Sequence, residues 1–153
     1  MTNAAYVDGL KMLARRELSA AQIRQRLARK HHAAGDIDAA IARLRDERAI
    51  DDTRVAEAIA RTETSVRRRG RQRVRLQIER AGIAKGVARH AVDEVFGAID
   101  DEALMEASLQ KRLRGREAVK DDRELHRLYR YLVGQGFEAD RVLQRLNRLR
   151  HRA

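Results

Sequence analysis

The sequence contains no cysteine, no proline and no tryptophan, and only five of its 153 residues are aromatic. Without cysteine the chain has no disulfide framework, no zinc ribbon and no thiol nucleophile. No segment approaches the roughly 18 consecutive apolar residues that a membrane-spanning helix needs. The N-terminal segment also lacks the basic and apolar regions of a signal peptide. These absences predict a cytoplasmic protein that does not interact with a membrane.

Positive charge is what the sequence has in excess. It has 34 Lys+Arg against 23 Asp+Glu, which gives a net charge of +11, and 29 of the cations are arginine. Such a charge favours a polyanionic partner, with nucleic acid ahead of a membrane surface. A genome rich in G and C also raises alanine and arginine together, so the clustering of cations is more informative than their total. The charge is spread along the chain, as expected for a protein that lies along a filament or a duplex.

A weak repeat with an offset of 49 residues runs through the chain. Ile50-Asp51-Asp52 recurs as Ile99-Asp100-Asp101, and one further step back reaches Thr2-Asn3, which is also a helix-capping pair. The repeat predicts three helical units over residues 1–50, 51–99 and 100–153. Leu, Ile, Val and Phe make up only about 23% of the chain, so the units must share a thin core.

Each unit has the apolar spacing of three helices, and no segment alternates like a strand. Ser19 and Gln22 form a predicted capping box, and Gly35-Asp36 is expected to end one helix and cap the next. Val66 is expected to be buried on the helix of Val55. The predicted fold is therefore all-α, with three tandem three-helix repeats of helix-turn-helix type in an elongated, curved array.

The densest basic segment is residues 67–75, with six arginines and no acid. Arg67, Arg68 and Arg69 precede Gly70, where the C-terminus of a helix favours cations. Arg71, Arg73 and Arg75 fall in the first turns of the next helix, where the same dipole is unfavourable. This placement favours phosphate as the compensating group, and a solvated helix face is the alternative.

Two weaker clusters complete the candidate interface. Arg15, Arg16, Arg24 and Arg26 form the first, while Arg127 and Arg130 belong to a third-unit set that also fits a solvated face. The residues predicted to bind DNA or a protein–DNA filament are Arg15, Arg16, Arg24, Arg26, Arg67, Arg68, Arg69, Arg71, Arg73, Arg75, Arg127 and Arg130.

The few aromatic residues predict contacts to phosphate that are sensitive to salt and poor in sequence information. A sequence-reading helix-turn-helix stays an alternative, with Gln72 and Gln77 as its only nearby amides. Single- and double-stranded DNA are both expected partners, and the protein is expected to be a monomer.

No catalytic constellation or cofactor site is recognisable, so we expect a protein that is not an enzyme. The aspartate pairs, such as Asp51-Asp52 and Asp121-Asp122, would suit metal-dependent phosphoryl transfer. Each pair stands just before an apolar helical segment, however, and N-capping explains it more simply. A metal-dependent nuclease is the least favoured alternative.

Four segments resemble, in order and spacing, those of the bacterial regulatory protein RecX family. Residues 13–19 with Ile23 and Leu27 are similar to the family's LARRExS opening. Residues 50–56 resemble LDDxRFA, residues 73–78 with Gly82-Ile83 resemble RIRQEL…GI, and residues 131–137 resemble FLxxRGF. The chain departs from the family at Val55 for Phe, at Gln22 for Glu, and at residues 67–71, which lack the Tyr and Pro of KGYGP.

The resemblance implies tandem three-helix repeats and a modulator of the RecA recombinase. Such a protein binds in the groove of the RecA nucleoprotein filament and inhibits filament growth. ATP hydrolysis, strand exchange and co-protease activity fall as a result, which modulates DNA repair and the SOS response. A stand-alone basic DNA-binding protein, of nucleoid or transcription-factor type, is the alternative.

Overall fold

The structure is a computed structural model, and it describes residues 3–152, with side chains to residue 149. These residues form nine α-helices and no strand, so the predicted all-α fold is confirmed. The helices are α1 (Ala4–Arg15), α2 (Ala20–Arg29), α3 (Ala34–Asp46), α4 (Asp52–Ser65), α5 (Arg71–Arg80), α6 (Lys85–Phe96), α7 (Asp101–Leu113), α8 (Asp122–Gly134) and α9 (Ala139–Arg152).

Polar side chains begin several of the helices where the sequence predicts them. Ser19 and Gln22 form the capping box of α2, with each side chain accepting from the backbone of the other. The Asp100 carboxylate accepts from two amides at the start of α7, and the Asp121 carboxylate accepts from the Glu124 amide at the start of α8. Asp51 accepts from the Arg54 amide at 3.2 Å. The first member of each aspartate pair is thus an N-cap, while Thr2 of the first capping pair lies outside the described residues.

Two local predictions are wrong. Gly35-Asp36 does not separate two helices, because α3 already begins at Ala34 and both residues lie in its first turn. The chain turns instead at His31, which has a φ of 64°. Val66 is 73% exposed because α4 ends one residue before it.

The chain divides into two compact units. Unit 1 comprises the residues up to Ala58 together with Ile78–Ala91, and unit 2 comprises Ile59–Gln77 together with the residues from Val92 onward. Helices α4, α5 and α6 are therefore each divided between the two units. The predicted repeat boundaries fall in the connections that follow α3 and α6. The division into three separate repeats stays a prediction.

Each unit has an apolar cluster of its own. In unit 1 the cluster comes from α1, α2, α3 and the segment up to Ile50, and Leu18, Ile23 and Leu27 are fully buried in it. In unit 2 the cluster comes from α7, α8 and α9, with Leu109 and Leu132 fully buried.

In unit 1 the start of α2 packs against the turn that follows α5. The buried Ser19 hydroxyl donates to the Ala81 carbonyl, and the Ala20 amide donates to the Asp52 carboxylate at 2.9 Å. Gly82 has a φ of 79°, and a Cβ on it would lie 2.3 Å from the Cβ of Ala21. The close backbone approach therefore requires glycine at this turn.

In unit 2 the start of α5 packs against the turn that follows α8 in the same manner. The Gly70 amide donates to the Gln135 carbonyl at 2.8 Å, and the Gln72 amide donates to the Gly136 carbonyl at 3.3 Å. Gly136 has a φ of 103°, and a Cβ on it would lie 2.4 Å from the Arg73 nitrogen. In both units, therefore, the start of a helix packs against the turn that follows another helix. The start of α2 contacts the turn after α5, and the start of α5 contacts the turn after α8.

Candidate nucleic-acid interface

The acid-free basic segment lies where the sequence predicts it. Helix α4 ends at Ser65, residues 66–70 connect the helices, and α5 begins at Arg71. Arg71 and Arg73 therefore occupy the unfavourable positive end of the α5 dipole. The fold itself supplies partners for several of these arginines.

Arg69 is held by a carboxylate of the preceding helix. Its guanidinium lies 2.8 Å from Glu63, whose residue is only 8% exposed. Arg67 lies 3.9 Å from the same carboxylate and is itself more exposed. Because a buried charge is costly without a partner, the contact between Arg69 and Glu63 is structural.

Arg71 makes the contacts that offset its position at the helix start. Its Nε donates to Asp101 at 2.9 Å, and its Nη1 lies 3.5 Å from Asp93. The guanidinium also lies 5.1 Å from the centre of the Phe96 ring. These two carboxylates supply the negative charge that the sequence led us to expect from phosphate. A bound anion is therefore not needed to offset the unfavourable helix dipole at Arg71.

Arg73 is tied to the junction between α5 and α8. Its Nη1 donates to the Gly134 carbonyl at 3.2 Å, while its buried Nε has no hydrogen-bond partner among the described residues. Arg68 and Arg75 are exposed, and the Arg68 backbone carbonyl accepts from the Ser108 hydroxyl at 2.8 Å. Arg68 therefore presents an exposed guanidinium that has no ion pair among the described side chains.

The N-terminal cluster divides into exposed and engaged arginines. Arg15 and Arg16 end α1, are exposed, and form no ion pair within the described part of the chain. Arg24 pairs with Asp38, and Arg26 is half-buried on α2. Cations at the C-terminus of a helix interact favourably with its dipole, so Arg15 and Arg16 keep their charge available to a partner.

The third-unit arginines differ in the same way. Arg127 and Arg130 are exposed on α8 and are paired with no carboxylate in residues 3–149. Arg145 instead forms a bidentate pair with Glu106, at 2.6 and 2.7 Å. The hydrogen bonds from Arg145 lower the pKa of the Glu106 carboxyl. Arg145 therefore joins α9 to α7, while Arg127 and Arg130 face solvent.

The structure also brings together cations that the sequence-based candidates omit. Lys111, Arg112, Arg114, Arg116 and Lys120 follow one another at the end of α7 and in the connection to α8. Five cations against one acid in ten residues is a signal that the sequence contains. It is missed because the segment interrupts the helical pattern and reads as a connecting loop.

The described residues contain no group of three or more His, Asp or Glu side chains that is suited to hold a metal ion. His32 instead lies 2.7 Å from Asp8, and this hydrogen bond lowers the pKa of the Asp8 carboxyl. The aspartate pairs begin helices. The described residues therefore form a basic, all-helical protein.

The chain is similar to known proteins over most of its length. Residues 5–44 match the family model described as the first three-helix domain of RecX. The regulatory protein RecX of Halorhodospira halophila is 32% identical over 87% of this chain and 80% of its own length. The same protein of Chromohalobacter salexigens is 33% identical over 88% of this chain and 86% of its own length.

Solved structures agree with this similarity at the level of the fold. The crystal structure of RecX from Lactobacillus salivarius superposes with a TM-score of 0.73 at 19% identity, and 94% of each chain is covered. A second regulatory protein RecX superposes with a TM-score of 0.78 at the same identity, over 94% of this chain and 70% of the other.

The chain belongs to the RecX family, which is a family of regulatory proteins and not of enzymes. The predicted family and the predicted tandem three-helix architecture are confirmed. Across residues 3–152, none of the helices is long and apolar enough to cross a membrane.

Proposed function

We propose that this protein is a regulator that binds the RecA nucleoprotein filament and inhibits its growth. The lower filament mass then reduces ATP hydrolysis, strand exchange and co-protease activity, so that DNA repair and the SOS response are modulated in the cytoplasm. The observation that carries the proposal is membership of the RecX family, at 32–33% identity over 87–88% of the chain.

The distribution of available charge supports a filament as the partner. Exposed arginines without an ion pair to any described residue occur at the end of α1, after α4 and on α8, with Arg15, Arg16, Arg68, Arg127 and Arg130 as examples. Cations spread along the chain contact several phosphates of an extended polyanion weakly rather than one phosphate tightly.

The decisive experiment measures the ATPase activity of a bacterial RecA on single-stranded DNA as this protein is added. We expect inhibition that increases with the ratio of this protein to RecA. Unchanged ATPase activity at every ratio would contradict the proposed function.

A matched pair of variants tests the role of the exposed arginines. Replacing Arg15, Arg16 and Arg68 by Gln should weaken the inhibition, because these side chains carry free charge and hold no part of the fold together. The control replaces Arg29, Lys85 and Arg89 by Gln, which removes the same charge from other exposed positions. Equal inhibition by the two variants would mean that the net charge matters and not its placement.

The alternative, a DNA-binding protein with no role at RecA, predicts a different pattern. Binding to naked duplex would then be tight, and RecA activity would change only as much as the loss of free DNA explains. Excess random duplex added to the ATPase assay should relieve such an effect, whereas inhibition of preformed filaments should persist.

A further inference from the structure

A basic surface lies on unit 2 where α7 ends and α8 passes beside it. Two neighbouring concavities form it, with volumes of about 290 Å³ and about 440 Å³. Both are lined by Arg112 and Tyr131. We call this the α7–α8 surface, and its cations are Lys111, Arg112, Arg114, Arg116, Lys120 and Arg127.

The charge of the α7–α8 surface is largely uncompensated. Glu124 is the only acidic residue that lines either concavity, and it pairs with Arg116 at 2.6 Å. Lys111, Arg114 and Arg127 are exposed and form no ion pair among the described residues. By contrast, Arg69 and Arg71 of the basic segment 67–75 are engaged by three carboxylates. Residues 111–127 thus contain several free cations, although the sequence is most basic at residues 67–75.

The Tyr131 ring lines both concavities. The Tyr131 side chain is half-buried, and the Arg112 guanidinium lies over its ring, 4.0 Å from the centre. The ring therefore holds the guanidinium flat, while Arg112 itself remains exposed. Flat guanidinium and aromatic groups are the surfaces on which unpaired nucleobases stack.

Two residues with positive φ form the turn at the end of α7 on this surface. Arg114 caps the end of α7 with a φ of 52°, and Gly115 follows with a φ of 84°. Arg116 is held by Glu124, and the hydrogen bond from Arg116 lowers the pKa of the Glu124 carboxyl. One Arg116 nitrogen, Nη1, is buried without a hydrogen-bond partner among the described residues. The ion pair fixes this turn and leaves the surrounding cations for a ligand.

We propose that the α7–α8 surface binds single-stranded nucleic acid. Lys111 and Arg114 contact phosphate on one side of Tyr131, Lys120 and Arg127 contact phosphate on the other side, and a base stacks on Arg112. This inference adds a binding site to the proposed function. It rests on that function only in requiring that the chain binds nucleic acid.

The geometry favours a single strand over the two other polyanions of interest. Bases of a duplex are paired and stacked on one another, so they cannot reach the guanidinium on Tyr131. A run of acidic residues such as polyglutamate has carboxylates to pair with the cations but no ring for the stacking position. A single strand presents a base with a phosphate on either side.

The test measures binding of the full chain to a labelled oligothymidylate of about 20 nucleotides by fluorescence anisotropy across salt concentrations. The first variant replaces Lys111, Arg114 and Arg127 by Gln, and it should weaken binding. Its salt slope should fall by about 2, since each lost phosphate contact on a single strand contributes about 0.7. The control replaces Arg29, Lys85 and Arg89 by Gln and should keep the wild-type slope.

A second variant, Arg112→Lys, keeps the charge but removes the flat guanidinium. It should weaken oligothymidylate binding several-fold while leaving the affinity for a duplex of equal length unchanged. Circular dichroism spectra of both variants serve as the check that they remain folded.

Three outcomes would overturn the proposal. The triple variant and its control could bind oligothymidylate equally, Arg112→Lys could affect duplex and single strand alike, or the triple variant could lose affinity only for polyglutamate. Because no RecA is present in this assay, its failure is distinct from a failure of the ATPase experiment.

Discussion

Single glycines decide whether the two backbone junctions form. At Gly136 a side chain meets two obstacles, since the φ of 103° is unfavourable for L-residues and the Arg73 nitrogen lies only 2.4 Å from the position of a Cβ. Gly134, two residues earlier, ends α8 with nothing within 4 Å of its ideal Cβ position. The same substitution at these two positions should therefore have opposite effects.

Replacing Gly136 by Ala should lower the free energy of unfolding by about 1–3 kcal/mol, because of strain and the close backbone contact. Replacing Gly134 by Ala should raise it by up to about 1 kcal/mol, because alanine restricts the unfolded chain. Urea denaturation followed by circular dichroism measures both. A stabilising Gly136→Ala would show that the junction with Arg73 does not form in solution.

Among the secondary-structure elements, the helix ends make contacts that local sequence rules predict only in part. The capping box of α2 follows directly from the spacing of Ser19 and Gln22. The second bond of the Ser19 hydroxyl, to the Ala81 carbonyl, joins α2 to the turn after α5. A partner 62 residues away leaves no mark in the local pattern, so the sequence predicts the cap but not the junction.

Replacing Ser19 by Ala should lower the free energy of unfolding by about 2 kcal/mol or more. The cap contributes about 0.5–2 kcal/mol, and a buried carbonyl left without a donor adds about 1–3 kcal/mol. Ser65→Ala is the control, because that hydroxyl is exposed and bonds only within α4. Thermal unfolding of the two variants compares them, and similar losses would contradict a role for the Ala81 contact.

Helices α7 and α9 are joined by the pair of Glu106 and Arg145, which should make stability depend on acidity. Arg145 holds the pKa of Glu106 below 4.5. A carboxyl with a lowered pKa stabilises the folded state above its ordinary pKa, and this contribution is lost as the pH falls through the folded value. Glu106→Gln should therefore reduce stability near neutral pH.

Below pH 4.5 the loss of stability should be smaller in Glu106→Gln than in the wild type. Urea denaturation at a series of pH values measures the difference. Glu102→Gln, one turn earlier on α7 and without an ion pair among the described side chains, serves as the control. If the free energy of unfolding decreased equally below pH 4.5 in all three proteins, the pair of Glu106 and Arg145 would not contribute to stability.

Across the whole molecule, the sequence predicts the fold well and the site only in part. Amphipathic spacing and aspartate caps are local signals, and they give the all-α class and the starts of several helices. Which cations are free is instead decided by carboxylates that are distant in sequence, as Asp101 is from Arg71. Residues 111–120 show the converse, because Lys111, Arg114 and Lys120 stay exposed at and after the end of a helix.

The His31 turn illustrates a further limit of sequence patterns. Gly35 and Asp36 are the usual residues of a helix end, yet the left-handed conformation falls on His31. Asp36 then serves as an acidic residue in the first turn of α3, which its dipole favours equally well. The same two residue types suit either position, so the pattern alone does not decide between them.

The scarcity of aromatic residues gives this protein an optical property of practical use. Its ultraviolet emission comes from three tyrosines and no tryptophan. Tyr6 donates to the Glu47 carboxylate at 2.6 Å, a contact that quenches tyrosine fluorescence. Emission should therefore come mainly from Tyr129 and Tyr131, both on α8. The fluorescence of the unlabelled protein thus reports directly on α8, one of the two helices that border the α7–α8 surface.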